Sequence, residues 1–77
     1  MNSQNVINAV LLDLSLDNLK ILDSLETTIN DKNLNLEEKV TQVKLYLTRL
    51  VQNEQMTAKF KDLINNNEQI KTENGKV

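Results

Sequence analysis

The sequence of 77 residues has no cysteine, no histidine and no proline, and its single glycine is Gly75. Without cysteine, neither a disulfide nor a thiolate metal site can form. Without histidine as well, a bound metal would have only oxygen ligands. The residues that most often interrupt helices are also missing or rare. These absences favour an all-helical chain that has none of the usual cross-links of small domains.

The groups that assemble an active site are missing too. The chain has no histidine or cysteine, no glycine-rich phosphate loop and no nucleophile elbow. Glu37 and Glu38 are adjacent in sequence, so their carboxylates do not converge from one helix face. Their position at the predicted start of a helix accounts for both residues. We therefore expect a non-enzymatic protein without a cofactor.

Long hydrophobic runs are absent. No segment approaches the roughly 18 consecutive apolar residues of a membrane span, and no basic segment followed by an apolar run opens the chain. We therefore expect a cytoplasmic protein that does not enter a membrane. The chain is rich in asparagine and lysine and poor in glycine, proline and alanine, a bias common in low-GC bacteria and their phages.

Charge is small in total and uneven along the chain. The net charge is −2, but residues 1–38 carry −5 and residues 39–77 carry +3. Opposite charge on the two halves favours antiparallel contact between them, within one chain or between chains. The lysines are interleaved with acidic residues and have little aromatic company. The sequence is therefore not typical of a nucleic-acid-binding surface.

The clearest amphipathic segment runs from Leu36 to Gln52. Its apolar residues lie at positions 36, 40, 43, 47, 50 and 51, which form one face of an α-helix. Asn35 and Glu38 have the spacing of a capping box, in which each side chain bonds the backbone N–H of the other residue. The pattern predicts a helix that begins directly after Asn35.

The apolar pattern changes phase near Asn53. The stripe would continue at positions 54, 57, 58 and 61, which are polar or small, and the apolar residues instead form a set almost opposite: Met56, Phe60, Leu63 and Ile64. Two interpretations follow. Either the helix breaks near residue 53, or it continues and uses a second face, which Leu45 would share.

The first third of the chain also allows two interpretations. Ser15 is a good N-cap, and Leu14 and Leu19 have the spacing of a hydrophobic staple. We therefore expect one helix to end near residue 14 and a second to run over 16–29. The alternative is one helix over 4–29, with Asn18 in the middle of its apolar face. In that helix three leucines would point the other way, namely Leu12, Leu16 and Leu19.

A polar turn is predicted at residues 30–34, because asparagine and aspartate tolerate the left-handed conformation that ends helices. A connection this short usually joins antiparallel helices. The turn region matches the first ligand positions of a calcium-binding EF-hand loop, namely Asp31, Asn33 and Asn35. The required glycine is replaced by Leu36 and the bidentate glutamate by Gln42, so we expect a turn and no metal site.

Seven apolar residues lie off the main stripes and are the candidate protein interface: Leu12, Leu16, Leu19, Leu45, Met56, Phe60 and Leu63. Large exposed apolar patches mark interaction sites. If the helices instead break near residues 15 and 53, the same residues fold into one core. Asn18 lies on the main stripe, where a buried asparagine would fix the register of a helical dimer; the alternative is that it lies at the edge of the stripe.

The sequence therefore predicts an all-α protein, either a helical hairpin or a bundle of three to four short helices, that forms a homodimer. Residues 1–67 form the domain and residues 68–77 a disordered polar tail. The expected function is non-catalytic binding of another protein, as a regulator, inhibitor or assembly factor. One alternative is a transcriptional regulator, a helical dimer that presents Lys39, Lys44 and Arg49, or the C-terminal lysines, to nucleic acid. Another is a structural or scaffolding component of an assembly.

Overall fold

A computed structural model describes residues 3–66, which form two helices and a short connection. Helix α1 spans Ser3–Ile29 and helix α2 spans Leu36–Asn66. The chain reverses between them, and the helices pack against each other along their length. Of the two predicted architectures, the structure is the hairpin. The described residues contain neither a third helix nor a strand.

The two helices meet along a seam with a 3.5-residue repeat. Every seam residue is buried or half-buried: Ile7, Leu11, Leu14, Asn18, Ile21, Leu25 and Thr28 of α1, and Lys39, Val43, Tyr46, Leu50, Asn53, Thr57, Phe60 and Ile64 of α2. Steps of four and three residues alternate without exception in both lists. This spacing is that of a left-handed coiled coil, here formed by two antiparallel helices of one chain.

The predicted break near Ser15 is wrong, because α1 is one helix across that position. Leu14 and Asn18 are both seam residues, so an unbroken α1 keeps both of them in contact with α2. Ser15 itself is exposed. The carboxylate of Asp17, two residues further on, bonds to α2. Continuous contact with a second helix outweighs a local capping signal whose worth is only about 1 kcal/mol.

Helix α2 is also continuous, so it does not break near residue 53. The apolar phase changes near residue 53 because polar residues occupy the seam there. Asn53 and Thr57 continue the repeat that Leu50 precedes and Phe60 follows. The helix therefore keeps one seam throughout, and much of the predicted stripe lies outside it. Leu36 and Val40, which belong to that stripe, are exposed.

The predicted polar turn is present, but it does not use the left-handed conformation. No residue from 3 to 66 has a positive φ. Instead, the Asp31 carboxylate accepts a hydrogen bond from the backbone N–H of Asn33 at 2.8 Å. The backbone N–H of Asp31 donates to the carbonyl of Thr28 and closes the last turn of α1. An aspartate that bonds the backbone two residues ahead forms a turn by itself.

The predicted capping box at the start of α2 is confirmed. The Glu38 N–H donates to the Asn35 side-chain oxygen at 2.8 Å, and the Asn35 N–H donates to the Glu38 carboxylate at 3.0 Å. The ammonium of Lys39 reaches across the turn and donates to the carbonyl of Ile29 at 2.8 Å. Helix α1 has no basic residue in its own last turn. Lys39 therefore supplies the positive charge that stabilises a helix C-terminus.

The molecule is a rod one helix thick. Its extents are 59 × 19 × 12 Å and its radius of gyration is 17.5 Å, against about 11.5 Å for a globular chain of this length. Neither described helix has the apolar length needed to cross a membrane. Because no further element packs on the two helices within residues 3–66, both sides of the hairpin are open. The predicted tail, residues 68–77, lies outside the described residues.

Candidate protein-interaction surfaces

A polar cluster near the middle of the seam fixes how the helices are aligned. The side-chain amide of Asn53 donates to a carboxylate oxygen of Asp17 at 2.6 Å and to the side-chain oxygen of Asn18 at 3.0 Å. The guanidinium of Arg49 donates to the other oxygen of Asp17 at 2.7 Å. Asn53 is only 7% exposed. A shift in register would leave this buried amide without partners, at a cost of about 1–3 kcal/mol.

The cluster favours the ionised form of Asp17. The hydrogen bond from the Asn53 amide, and then the nearby Arg49 guanidinium, hold the pKa of the Asp17 carboxyl below its ordinary value of 3.8, although partial burial acts the other way. Asn18, which would fix the register of a dimer if it lay between two chains, here bonds within one chain. The register-fixing role expected of it is thus performed inside the hairpin.

Little of the apolar side-chain surface is buried between the helices. Among the described residues, the buried hydrophobic side chains are Ile7 and Ile21, whereas fourteen large hydrophobic residues are exposed. A soluble monomer rarely shows a contiguous apolar patch larger than about 300–600 Å². Most of these exposed residues lie on one of two opposite sides of the hairpin.

The contact between Asp17 and Arg49 identifies one of these sides. Steps of seven residues along a coiled-coil helix stay on the same side of the seam. Val10 is one such step from Asp17, and Met56 and Leu63 are one and two steps from Arg49. These three residues therefore share the side on which Asp17 and Arg49 meet.

On this side, a groove of about 690 Å³ lies between the start of α1 and the end of α2. We call it the open-end groove. Its apolar lining comes from Val6, Ala9, Val10 and Leu14 of α1 and from Met56, Phe60 and Leu63 of α2. Asp13 of α1 and Lys59 of α2 are its charged members. The groove therefore combines an apolar floor with one charge of each sign.

The opposite side carries a larger apolar surface, which we call the broad face. It consists of seven residues: Leu12, Leu19, Leu22 and Ile29 of α1, and Val40, Leu47 and Val51 of α2. Each is 45–62% exposed. Except for Leu12, which lies beside groove residues along α1, they are nearer the turn than the open-end groove is. No side chain from 3 to 66 covers them.

The structure divides the seven predicted interface residues among four places. Leu12 and Leu19 belong to the broad face, and Met56, Phe60 and Leu63 line the open-end groove. Phe60 is half-buried in the seam as well. The remaining two, Leu16 and Leu45, are exposed and belong to neither surface: Leu16 points away from α2, and Leu45 lies about 27 Å along α2 from Leu63.

Sequence reasoning missed most of both surfaces. Val6 and Val10 of the groove were not in the predicted set, and neither were most residues of the broad face: Leu22, Ile29, Val40, Leu47 and Val51. The sequence pattern assigns Val40, Leu47 and Val51 to the main apolar stripe of α2 instead. The alternating four- and three-residue spacing of the seam could have identified the missed residues, because none of these seven residues falls on a seam position.

The residues of the alternative nucleic-acid prediction do not form one positive patch. Lys39 bonds the carbonyl of Ile29, and Arg49 bonds Asp17. Lys44 is exposed on the side of the broad face. Clustered positive charge, on which phosphate binding depends, is therefore not found among these three side chains.

The oxygens that resembled calcium ligands form bonds of the turn. Asp31 accepts from the backbone of Asn33, and Asn35 accepts from the backbone of Glu38. Within residues 3–66, no group of three or more acidic side chains is placed to hold a metal ion.

Comparison of the chain with models of protein families, with curated protein sequences and with solved structures finds no match. The surfaces of the hairpin are therefore the features from which a function can be proposed.

Proposed function

We propose that the chain is a non-catalytic protein-interaction module of the cytoplasm that acts as a regulator, inhibitor or assembly factor, and that its open-end groove binds an amphipathic helix of another protein. The observation that carries the proposal is the apolar groove itself, which lies between two helices whose register is fixed by the central polar cluster. The proposal includes self-association, which uses a different surface.

The shape of the groove favours a helical partner. Apolar side chains line it from both helices over a little more than two turns, from Val6 to Leu14 and from Met56 to Leu63. A helix that lies along such a groove inserts apolar residues at spacings of three and four.

The two charges of the groove give the partner an orientation. Asp13 stands on the α1 side and Lys59 on the α2 side. A partner helix with a basic residue toward Asp13 and an acidic residue toward Lys59 complements both charges. Complementary charges of this kind set specificity and the rate of association more than affinity.

The test compares two leucine substitutions on α2. Leu63→Asp places a carboxylate in the groove, whereas Leu45→Asp alters an exposed leucine outside it. Partners captured by the wild-type chain are identified and purified, and their affinity is then measured by calorimetry. We expect a one-to-one complex whose affinity falls at least tenfold with Leu63→Asp and is unchanged with Leu45→Asp.

The proposal is wrong if both variants bind every captured protein as the wild type does. A gel shift at low salt tests the nucleic-acid alternative in the same preparation. Phosphate-led binding would appear there, weaken steeply as salt is added, and be insensitive to Leu63→Asp.

A further inference from the structure

We infer that the broad face is covered by a second copy of this chain, with α1 of each copy packed antiparallel against α2 of the other copy in a four-helix bundle. The inference deepens the self-association part of the proposed function. Because the broad face and the open-end groove are on opposite sides of the hairpin, the groove remains free for a different partner.

The area of the broad face matches what a dimer requires. Its seven aliphatic side chains are each about half exposed, which amounts to roughly 700 Å² of apolar surface and exceeds the largest patch of a typical monomer, about 300–600 Å². A standard interface takes about 800 Å² from each partner. A second identical face would bury all seven residues of both copies at once.

The register of the hairpin makes the broad face complementary to itself. The hydrogen bonds of Asn53 to Asp17 and Asn18 set which residues of α1 and α2 are level with each other. Each step toward the end of α1 then corresponds to a step toward the start of α2. A two-fold axis parallel to the helices therefore places each α1 residue of one copy against the α2 residue at the same height in the second copy.

Apolar residues meet apolar residues in this arrangement. Leu19 is level with Val51, Leu22 with Leu47, and Ile29 with Val40. Leu12 is level with the small side chain of Ala58. Ser15 lies between Leu12 and Leu19 on α1, and Glu54 follows Val51 on α2. These two polar residues are level with each other. The apolar and polar segments of the two copies thus coincide along the whole face.

Charge supports the same pairing of helices. Helix α1 has four acidic residues and one lysine, a net charge of −3, and α2 has five basic and four acidic residues, a net charge of +1. Glu26 and Lys44 lie at the edge of the broad face and are level with each other. Packing α1 on α2 of the second copy brings these opposite charges together at both edges of the interface.

The rival two-fold axis, perpendicular to the helices, is less favourable. It packs α1 on α1, so that two helices of net charge −3 face each other. With the axis through the middle of the α1 part of the broad face, Leu12 is level with Ile29 of the second copy and Leu19 with Leu22, so this arrangement also brings apolar residues of α1 together. The repulsion between the two negatively charged α1 helices is therefore what disfavours it.

The first experiment measures the mass of the full chain by sedimentation equilibrium over a dilution series. It compares the wild type with Leu22→Glu and with a matched control, Leu16→Glu. Leu22 and Leu16 are both on α1 and are 50% and 48% exposed, but only Leu22 belongs to the broad face. Circular dichroism checks that each variant is helical, and Leu47→Glu replaces Leu22→Glu if that variant is not.

We expect a wild-type dimer, a dimer of unchanged affinity for Leu16→Glu, and a dissociation constant at least about a hundredfold higher for Leu22→Glu, because both copies then bury a carboxylate. A wild-type monomer at all concentrations overturns the inference, as does an equal loss in Leu16→Glu. Neither result affects partner binding in the groove, which Leu63→Asp tests separately.

Charge reversal tests the pairing of helices. Glu26→Lys and Lys44→Glu should each weaken the dimer, because each places like charges at the interface edge, and the double reversal should restore the wild-type affinity. If the double variant is as weak as the sum of the single variants, α1 does not face α2 of the second copy.

Discussion

Replacing Ile21 by alanine is the sharpest perturbation of the hairpin itself. Ile21 is 1% exposed and is the one fully buried large side chain among the described residues. Its seam neighbours Asn18 and Leu25 are one turn away on either side, and Leu50 is level with it on α2. The shortened side chain would leave a void between the two helices that the rigid register cannot close.

The size of the effect follows from what is removed. Alanine lacks three of the side-chain carbons of isoleucine, which are worth about 0.8 kcal/mol each when buried. With the cavity that remains, the loss should be about 3 kcal/mol, within the 2–5 kcal/mol found for such changes. A chain of this length has about 4–11 kcal/mol of stability in total. Ile21→Ala should thus lower the melting temperature by roughly 12–24 °C.

Urea unfolding followed by circular dichroism measures this loss, and Leu16→Ala is its matched control. Leu16 is 48% exposed and lies on neither apolar surface, so its truncation should change the stability by less than about 0.5 kcal/mol. Both variants are compared at two protein concentrations, because self-association makes apparent stability depend on concentration. A loss below about 1 kcal/mol for Ile21→Ala, or equal losses for both variants, would refute the seam as described.

Three further predictions test the turn, the polar cluster and the groove. Asn35→Ala removes one half of the capping box and should cost about 1 kcal/mol in urea unfolding; no change would mean that the box does not stabilise α2. Because the folded-state pKa of Asp17 is lowered by the Asn53 amide, the stability that this carboxylate contributes is present above its unfolded-state value of 3.8 and is lost as the pH falls toward the lower folded-state pKa. The difference in stability between the wild type and Asp17→Ala should therefore shrink during acid titration, and a constant difference would contradict the cluster. Phe60→Asp should unfold the hairpin, because Phe60 is a half-buried seam residue, whereas Leu63→Asp should retain its helicity; circular dichroism distinguishes the two, and equal helicity would place Phe60 outside the seam.

The sequence predicts the position of the turn and the capped start of α2 because those features are local, although the turn does not use the left-handed conformation expected of it. Asn35 and Glu38 satisfy each other's backbone N–H groups, so the two side chains and their spacing specify the structure by themselves. The same kind of signal failed at Ser15. A capping residue stabilises a helix start only where the chain gains more by ending the preceding helix, and at Ser15 an unbroken α1 keeps Leu14 and Asn18 against α2.

The surfaces were harder to predict because polar residues occupy part of the seam. Lys39, Asn53 and Thr57 are seam residues that hydrophobic periodicity does not count. The apolar stripe of α2 therefore appeared to include Val40 and Leu47, which are exposed. Asn53 is retained in the seam because Asp17 and Asn18 of the other helix satisfy its amide, and a partner that is distant in sequence leaves no local pattern. Once the seam is known, the residues outside it define the broad face.

Cross-linking of single-cysteine variants tests the arrangement of the two copies most directly, and the natural chain has no cysteine to interfere. Glu26→Cys and Lys44→Cys are made in separate chains and oxidised alone and as a mixture. We predict a disulfide-linked heterodimer in the mixture and little cross-linking of either variant alone, because Glu26 of one copy lies beside Lys44 of the other. Efficient cross-linking of Glu26→Cys with itself, or no cross-linking in the mixture, would contradict the bundle.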